Sequence, residues 1–317
     1  MDDASAWFRG GLRKALSAAI HRADPEASIT LDHVYRRAED RVVVSGTWNG
    51  QLAVFKWYFG EEAEQTARAV HARLTALEAQ FTAPHLRAVR PLALYGSVVV
   101  MERVPGETLA AHLARGDART REAAFPQVLN WLSALTAGQR RIEPMAPRAA
   151  IRRLRQMPRP KDAQDAALFD RLRPALLDFA QDLRGFEVLR GPGHGDLSPR
   201  NLMLSEDVLT GIDFGPDTVF PLARDIAHYL IGTRLKGAAP SSAAAFAGDG
   251  DAAGWGIAPA EFEMIAASAL LPESDLARTL PFFIGQSALI NLTSRDRPEA
   301  VRARLRRIGE GWLKRAG

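Results

Sequence analysis

Two short stretches of the chain carry residue types that could do chemistry. Residues 194–201 read His-Gly-Asp-Leu-Ser-Pro-Arg-Asn, and residues 211–215 read Gly-Ile-Asp-Phe-Gly. Asp196 and Asn201 lie five apart, in a loop that Pro199 keeps from running on as a helix. The apolar runs Leu202–Leu204 and Thr210–Ile212 flank Ser205-Glu206-Asp207, the pattern of a hairpin, which would return Asp213 to the side of Asn201. Two carboxylates and an amide on adjacent loops form a set of hard oxygen donors. Such a set suits Mg²⁺, which keeps several waters and meets substrate phosphates with the rest of its shell. A carboxylate left off the metal can take the proton of a hydroxyl group.

The order and spacing of these residues resemble the catalytic loop of the protein-kinase-like superfamily, in its aminoglycoside phosphotransferase/choline kinase branch. There H-G-D-x-x-x-x-N is followed by I-D-F-G or a close variant. Further parts follow in the family's order. Lys56, in Ala53-Val54-Phe55-Lys56, is similar to the strand lysine that contacts the α- and β-phosphates. The helix after it offers Glu61, Glu62 or Glu64 as the ion-pair partner of that lysine, and Glu64 is favoured because it flanks the helix's apolar stripe. Residues 100–109, Val-Met-Glu-Arg-Val-Pro-Gly-Glu-Thr-Leu, resemble the family's hinge. There the Glu102 carbonyl and the Val104 amide would hydrogen-bond adenine. Arg224-Asp225-Ile226-Ala227 resembles the helix aspartate that braces the catalytic loop.

The resemblance covers roughly residues 28–235 and implies an α+β, bilobal protein-kinase-like fold, with a small β-rich N-lobe and a larger, mainly helical C-lobe. It implies an ATP- and Mg²⁺-dependent phosphotransferase that moves the γ-phosphoryl group to a hydroxyl of a small molecule. In that reading Asp196 orients or deprotonates the attacking hydroxyl, and Arg200 reaches the γ-phosphate or the acceptor. Asn201 and Asp213 hold Mg²⁺, while Lys56, Glu64, Glu102 and Val104 form the nucleotide site. His194 is expected to pack and hydrogen-bond the loop instead of acting as a base. Catalysis would rest on positioning and charge neutralisation, with no covalent intermediate.

One feature departs from the family. The loop that should cap the phosphates reads Arg36-Arg37-Ala38-Glu39-Asp40-Arg41 and has no glycine, so close approach of backbone N–H groups to phosphate is harder. Arg36, Arg37 or Arg41 would have to substitute by side-chain charge. A catalytically silent nucleotide-binding module therefore stands as an alternative, although Lys56, Asp196, Asn201 and Asp213 all speak against it. A protein kinase is disfavoured by Gly195, where such enzymes carry arginine, and by the lack of an A-P-E signature after Asp213.

Charge bears on the acceptor. Residues 140–161 hold Arg140, Arg141, Arg148, Arg152, Arg153, Arg155, Arg159 and Lys161 against Glu143 alone, a local excess of +7. Residues 295–317 carry a local excess of +5, although the whole chain is only +4. Solvated helix faces are the plain reading of such runs. An anionic or sugar-like acceptor is the functional reading. Aminoglycosides, the alternative acceptors, are polycations and favour an acidic pocket. No motif for specific nucleic-acid binding is visible.

The elements that must position these residues can be read from periodicity. Apolar residues four apart predict a helix over 4–22. Strands are expected at Ile29–Tyr35, Val42–Trp48 and Gln51–Tyr58, the last two joined by a tight Asn49-Gly50 turn. A helix over 61–81 and strands at Val89–Leu94 and Val98–Glu102 follow. Helices are then expected near 108–114, 122–137, 162–184, 222–236, 259–268, 274–292 and 298–315, with 237–256 as an Ala-, Gly- and Ser-rich loop. The expected division is 1–27 as a helical extension, 28–104 as the nucleotide-binding lobe and 105–317 as the catalytic and acceptor-binding lobe. The length of 317 residues fits two lobes at roughly 150 residues each. With 47% hydrophobic and 25% charged residues the chain is globular, and with no cysteine it has neither disulfides nor thiolate sites. The acidic N-terminus is unlike a signal peptide, and the apolar stretch 280–292 is too short and too polar to span a bilayer, which points to the cytoplasm.

Overall fold

The computed structural model describes residues 3–216, 219–235, 255, 258–294 and 297–316. Apart from Trp255, the expected 237–256 loop lies outside the described residues. The chain divides into two compact units. One comprises residues 1–106 with 210–217, the other 107–209 with 218–317.

The first unit is built on a five-stranded sheet. It contains helix α1 (Asp3–Ala23), strands β1 (Ile29–Arg37), β2 (Arg41–Trp48) and β3 (Gln51–Tyr58), helix α2 (Ala63–Gln80), and strands β4 (Leu86–Ala88), β5 (Pro91–Tyr95) and β6 (Val98–Glu102). The sheet order is β1-β2-β3-β6-β5, with antiparallel pairing throughout. The β2–β3 turn needs positive φ at both centre positions, and Asn49 (47°) and Gly50 (78°) supply it. That turn fixes the register from Trp48↔Gln51 to Arg41↔Tyr58. Val42, Val44, Ala53, Phe55, Val98 and Val100 form one buried face, closed by Leu16 and Ile20 of α1. Side chains alternate along a strand, so Phe55 in this core sends Lys56 to the opposite face. The single strand expected at 89–94 is two short ones: after β4 the Arg90 carbonyl accepts from the Glu102 N–H at 3.0 Å, and β5 starts at Pro91 with a register shift by Ala93.

The second unit is mainly helical. Strand β7 (Glu107–Thr108) leads to α3 (Leu109–Arg115), α4 (Ala118–Thr136), β8 (Arg141–Pro144), α5 (Arg148–Gln156), α6 (Ala163–Asp182), β9 (Glu187–Pro192) and β10 (Leu202–Ser205). Strand β11 (Val208–Gly211) carries the chain into residues of the first unit. Then come β12 (Val219–Pro221), α7 (Ala223–Leu235), α8 (Pro259–Ala267), a π-helical turn (Asp275–Thr279), α9 (Leu280–Leu292) and α10 (Glu299–Ala316). Thr108, Asp117 and Asp162 cap α3, α4 and α6, each accepting a first-turn N–H. Helix α9 has no polar outer face because it is buried everywhere but Ile290 and Asn291, packed against α6, α7 and α10. Strands β12, β9 and β8 form a small sheet. No described helix is long and apolar enough to cross a membrane.

The basic stretches resolve into three fates. On α10, Arg302 pairs with Asp162 and Asp165, and Arg306 pairs with Asp165 and Glu299. Within 140–161, Arg141 pairs with Glu143 and Arg159 with Asp170, while Arg140 donates to Ser133 and Thr136. Helix α5, which charge alone concealed, keeps Leu154 inward and turns Arg152, Arg153 and Arg155 outward, with no carboxylate partner among the described residues.

Candidate active site

The loop 193–201 belongs to the second unit and is held by one aspartate. Asp225, in the first turn of α7, is fully buried. Its carboxylate accepts the His194 N–H at 2.5 Å and the Gly195 N–H at 3.0 Å. This contact requires small residues. A Cβ on Gly193 would lie 2.6 Å from the Asp225 carboxylate and 2.5 Å from the Phe220 ring. Gly195 itself has φ 91°, a conformation that L side chains rarely adopt. Hence the loop carries glycine where a bulkier residue would break the brace.

Asp196 follows at the exposed tip. The Asn201 amide donates to the Asp196 carbonyl at 2.8 Å and to its carboxylate at 3.2 Å. A one-turn 3₁₀ helix, Pro199–Asn201, makes this five-residue return possible. With its N–H₂ group committed to Asp196, the atom Asn201 has left to offer a cation is Oδ1, a hard oxygen donor. His194 is buried beside the Trp131 ring, and its Nδ1 accepts the Asp196 N–H at 3.4 Å. It supports the loop.

Asp196 also lines a cavity of about 170 Å³. Three guanidinium side chains surround the same space: Arg153 from α5, Arg200 from the loop, and Arg297 ahead of α10. Three buried polar atoms around it have no hydrogen-bond partner, namely Ser198 Oγ, His228 Nδ1 and Arg297 Nε. Buried polar atoms are rarely left unpaired, so water, an ion or a ligand in the cavity would complete them. Arg297 donates to the Asn291 amide oxygen at 2.6 Å, and no carboxylate among the described residues pairs with it. His228 is held neutral: burial first, then the charges of Arg224 and Arg153, push its pKa down to about 3. The cavity is thus a cationic, hydrogen-bonding site with one carboxylate at its edge.

In the first unit, Lys56 is 4% exposed and donates to the Asp213 carboxylate at 2.7 Å and to the Phe214 carbonyl at 3.1 Å. Asp213 adopts φ 60°, a left-handed conformation that aspartate tolerates better than most residues. The structure therefore brings Lys56 and Asp213 together, as it does Asp196, Arg200 and Asn201. Glu102 ends β6, where its carboxylate accepts the Arg90 N–H at 3.0 Å and pairs with Arg87. Val104 is half-buried two residues on.

The ion pair expected of Glu64 is corrected. Its carboxylate goes to Arg68, one turn along the same helix, and its side chain is 62% exposed. The reason is helical geometry. Helix α2 starts at Ala63, and its inward stripe is Ala67, Val70, Arg73, Leu74 and Leu77, so Glu64 stands in the first turn on the solvent side. Lys56 takes Asp213 instead.

The residue of α2 that does reach the motif is Arg73. It is 7% exposed, donates to the Gly215 and Pro216 carbonyls at 3.1 and 3.2 Å, and lies over the Phe214 ring at 5.2 Å. Sequence reasoning missed it, although an arginine inside an apolar stripe is a visible signal. Ser198, His228 and Arg297 were also missed. They are brought together by tertiary packing, and nothing in their local sequence marks them.

A family model described as the phosphotransferase enzyme family, APH, matches residues 34–262. The aminoglycoside phosphotransferase APH(4)-Ia is 15% identical, with 96% of this chain and 98% of that chain covered and a TM-score of 0.55. The amicoumacin kinase hAmiN, solved in complex with AMP-PNP, Ca²⁺ and Ami, is 14% identical over 97% of this chain and 93% of its own, with a TM-score of 0.56. The ADP-bound aminoglycoside phosphotransferase APH(2'')-Ib is 11% identical, with 94% and 98% covered and a TM-score of 0.51. At such identities the likeness is one of fold, the α+β protein-kinase-like fold. No curated protein matches the chain.

Proposed function

The chain belongs to the APH phosphotransferase enzyme family, and from that premise we propose that it is an ATP- and Mg²⁺-dependent kinase whose small-molecule acceptor is an anion bearing a hydroxyl group. Asp196 accepts the proton of the attacking hydroxyl, oriented by Asn201. Lys56 steadies Asp213 and neutralises phosphate charge. Glu102 and Val104 present backbone groups to the adenine, and Arg200 reaches the transferred phosphoryl or the acceptor. Asn201 Oδ1 and the Asp213 carboxylate are hard donors that would hold Mg²⁺, which when bound neutralises charge on the terminal phosphates. As a user of ATP, such a kinase would work in the cytoplasm.

The observation that carries the acceptor class is the cavity at Asp196, lined by Arg153, Arg200 and Arg297. A polycationic aminoglycoside would enter a field of like charge there, which costs affinity. A carboxylate or phosphate would instead satisfy the unpartnered Arg297 Nε and Ser198 Oγ.

The test is ADP release from ATP and Mg²⁺ across hydroxy acids, sugar phosphates, neutral sugars, amino alcohols and aminoglycosides. Turnover is expected with an anionic hydroxy compound and not with the aminoglycosides, and Asp196→Asn should lower kcat by at least about 100-fold. Efficient turnover of an aminoglycoside would replace the anionic reading. Absence of nucleotide binding in a thermal-shift titration would return the chain to the silent-module alternative.

A further inference from the structure

A second cavity, of about 280 Å³, lies in the same unit, and Arg153 lines both spaces. Its character differs from that of the first. The walls include Ala146, Ala149, Val188, Val219, Phe220 and Phe283, so most of the surface offered to an occupant is apolar. Two buried polar atoms on this wall lack a hydrogen-bond partner, Gln286 Nε2 and Arg190 Nε. Gln286, on α9, is 4% exposed. A buried amide N–H₂ left unpaired beside an apolar cavity is destabilising unless something in the cavity accepts from it. Arg190 and Arg224, also on the wall, are engaged in part: Arg190 pairs with Glu143 and donates to the Val219 carbonyl at 3.1 Å while its Nε has no partner, and Arg224 lies over the Phe220 ring.

We infer that the 280 Å³ cavity is the distal half of the acceptor site and takes the apolar body of an amphiphilic anion. The inference rests on reading the Asp196 cavity as the acceptor's anion site and extends it. The anionic group and the reacting hydroxyl occupy the arginine-lined cavity. An aliphatic or aromatic part passes Arg153 and fills the second cavity, where a hydrogen-bond acceptor on that part meets Gln286. Arg153 suits such a junction, because a guanidinium offers charge at its edge and a flat, weakly hydrated face to apolar groups. The occupant is thus a hydroxylated molecule with a carboxylate or phosphate near the hydroxyl and an apolar extension beyond. A small polar hydroxy acid would leave the second cavity empty.

The experiment compares matched anions by calorimetric titration of the full chain. Inorganic phosphate is set against 4-phenylbutyl phosphate, and acetate against 5-phenylvalerate; the two arms distinguish a phosphate from a carboxylate head. The uncharged 5-phenylpentan-1-ol controls for apolar binding alone. In at least one arm the phenyl-bearing anion should bind about 10-fold tighter than its headgroup and tighter than the alcohol. That ratio should collapse toward one in Ala149→Trp, which fills the cavity from an exposed position on α5. The unfolding temperature of the variant verifies that it is folded. A ratio near one in both wild-type arms, or a ratio that survives Ala149→Trp, overturns the inference. Binding of the alcohol as tightly as the anions would retain the apolar cavity but sink the anion site on which it rests. Thermal shift with ATP and Mg²⁺ is read separately, so a failure of the kinase reading is not confused with either result.

Discussion

Asp225 accepts the Gly195 N–H at 3.0 Å from a position with no solvent exposure, and through that bond helix α7 sets the height of the loop carrying Asp196. The same carboxylate takes the His194 N–H. Asp225→Ala would strand two loop amides, at a cost of about 1–3 kcal/mol each where no water replaces the carboxylate. Asp225→Asn keeps one accepting oxygen and should lose roughly half as much. Because the loop carries Asp196 and not the adenine contacts, kcat should fall by more than the nucleotide KM rises. Chemical denaturation and steady-state kinetics of the two variants check this. An Asp225→Ala protein with unchanged stability would show that the brace carries no load.

Arg73 does for the Ile212–Pro216 segment what Asp225 does for the other loop. Its Nη1 is shared between two carbonyls, and its guanidinium plane covers Phe214. Removing it in Arg73→Met should cost about 1.5–3 kcal/mol, the range for hydrogen bonds to a charged donor. Arg73→Lys should recover little, since an ammonium cannot stack on the ring and reach both carbonyls at once. Asp213 sits one residue before Phe214, so the nucleotide Kd measured with Mg²⁺ should rise at least about 5-fold in Arg73→Met. If that Kd held while stability fell, Arg73 would be a packing residue only.

These two braces show what was legible in the sequence. Asp225 could be found because its neighbours Arg224 and Ile226-Ala227 complete a recognisable pattern, and the sheet because Asn49-Gly50 and the alternation around Phe55 and Lys56 leave one register open. Asp196, Asn201 and Asp213 could be singled out by their spacing in the two motifs, and Lys56 by the strand segment that resembles the family's. What escaped was whatever depends on how a helix is rotated. Glu64 and Arg73 lie on one helix, and only the burial of Val70, Leu74 and Leu77 decides which of them turns inward. Helix α5 was hidden because its arginines dominate a reading by charge, although Ile151 and Leu154 sit at helical spacing. Ser198, His228 and Arg297 come from a loop, α7 and the approach to α10, and no local rule gathers them.

A charge cluster joining α6 and α10 tests whether stability and catalysis separate. Asp165, 1% exposed, lies 2.6 Å from Arg306 and 3.3 Å from Arg302. Deleting the buried member of this network removes one carboxylate from each arginine, but Arg302 keeps Asp162 and Arg306 keeps Glu299, so the loss should be about 1–3 kcal/mol. Asp165→Ala should therefore lower the unfolding temperature markedly. The kcat and KM measured at low temperature on the folded fraction should be unchanged. Asp165→Asn should fall between the two. Equal kinetic damage would mean that α6 and α10 are coupled to the loop.

The acid limb of stability should report on His228. Its folded-state pKa is pushed down to about 3 by burial and by the neighbouring charges of Arg224 and Arg153. The unfolded histidine titrates near 6.5. A depressed histidine binds its proton more readily when unfolded, so the stability tied to its neutral form is complete above pH 6.5. It erodes as pH falls, by up to about 1.4 kcal/mol per pH unit, until the folded pKa is reached near 3. Between pH 7.5 and 5 the loss amounts to about 2 kcal/mol. His228→Gln has no such proton, and the difference between its urea-unfolding free energy and that of the wild type should shrink by that amount over the same interval. Carboxylates held below their usual range, such as Asp162 and Asp170, also lose stability on acidification but only nearer pH 4, and they cancel in the difference. A flat difference would mean that His228 is solvated, and the cationic cavity would then have a titrating wall in place of a fixed neutral one.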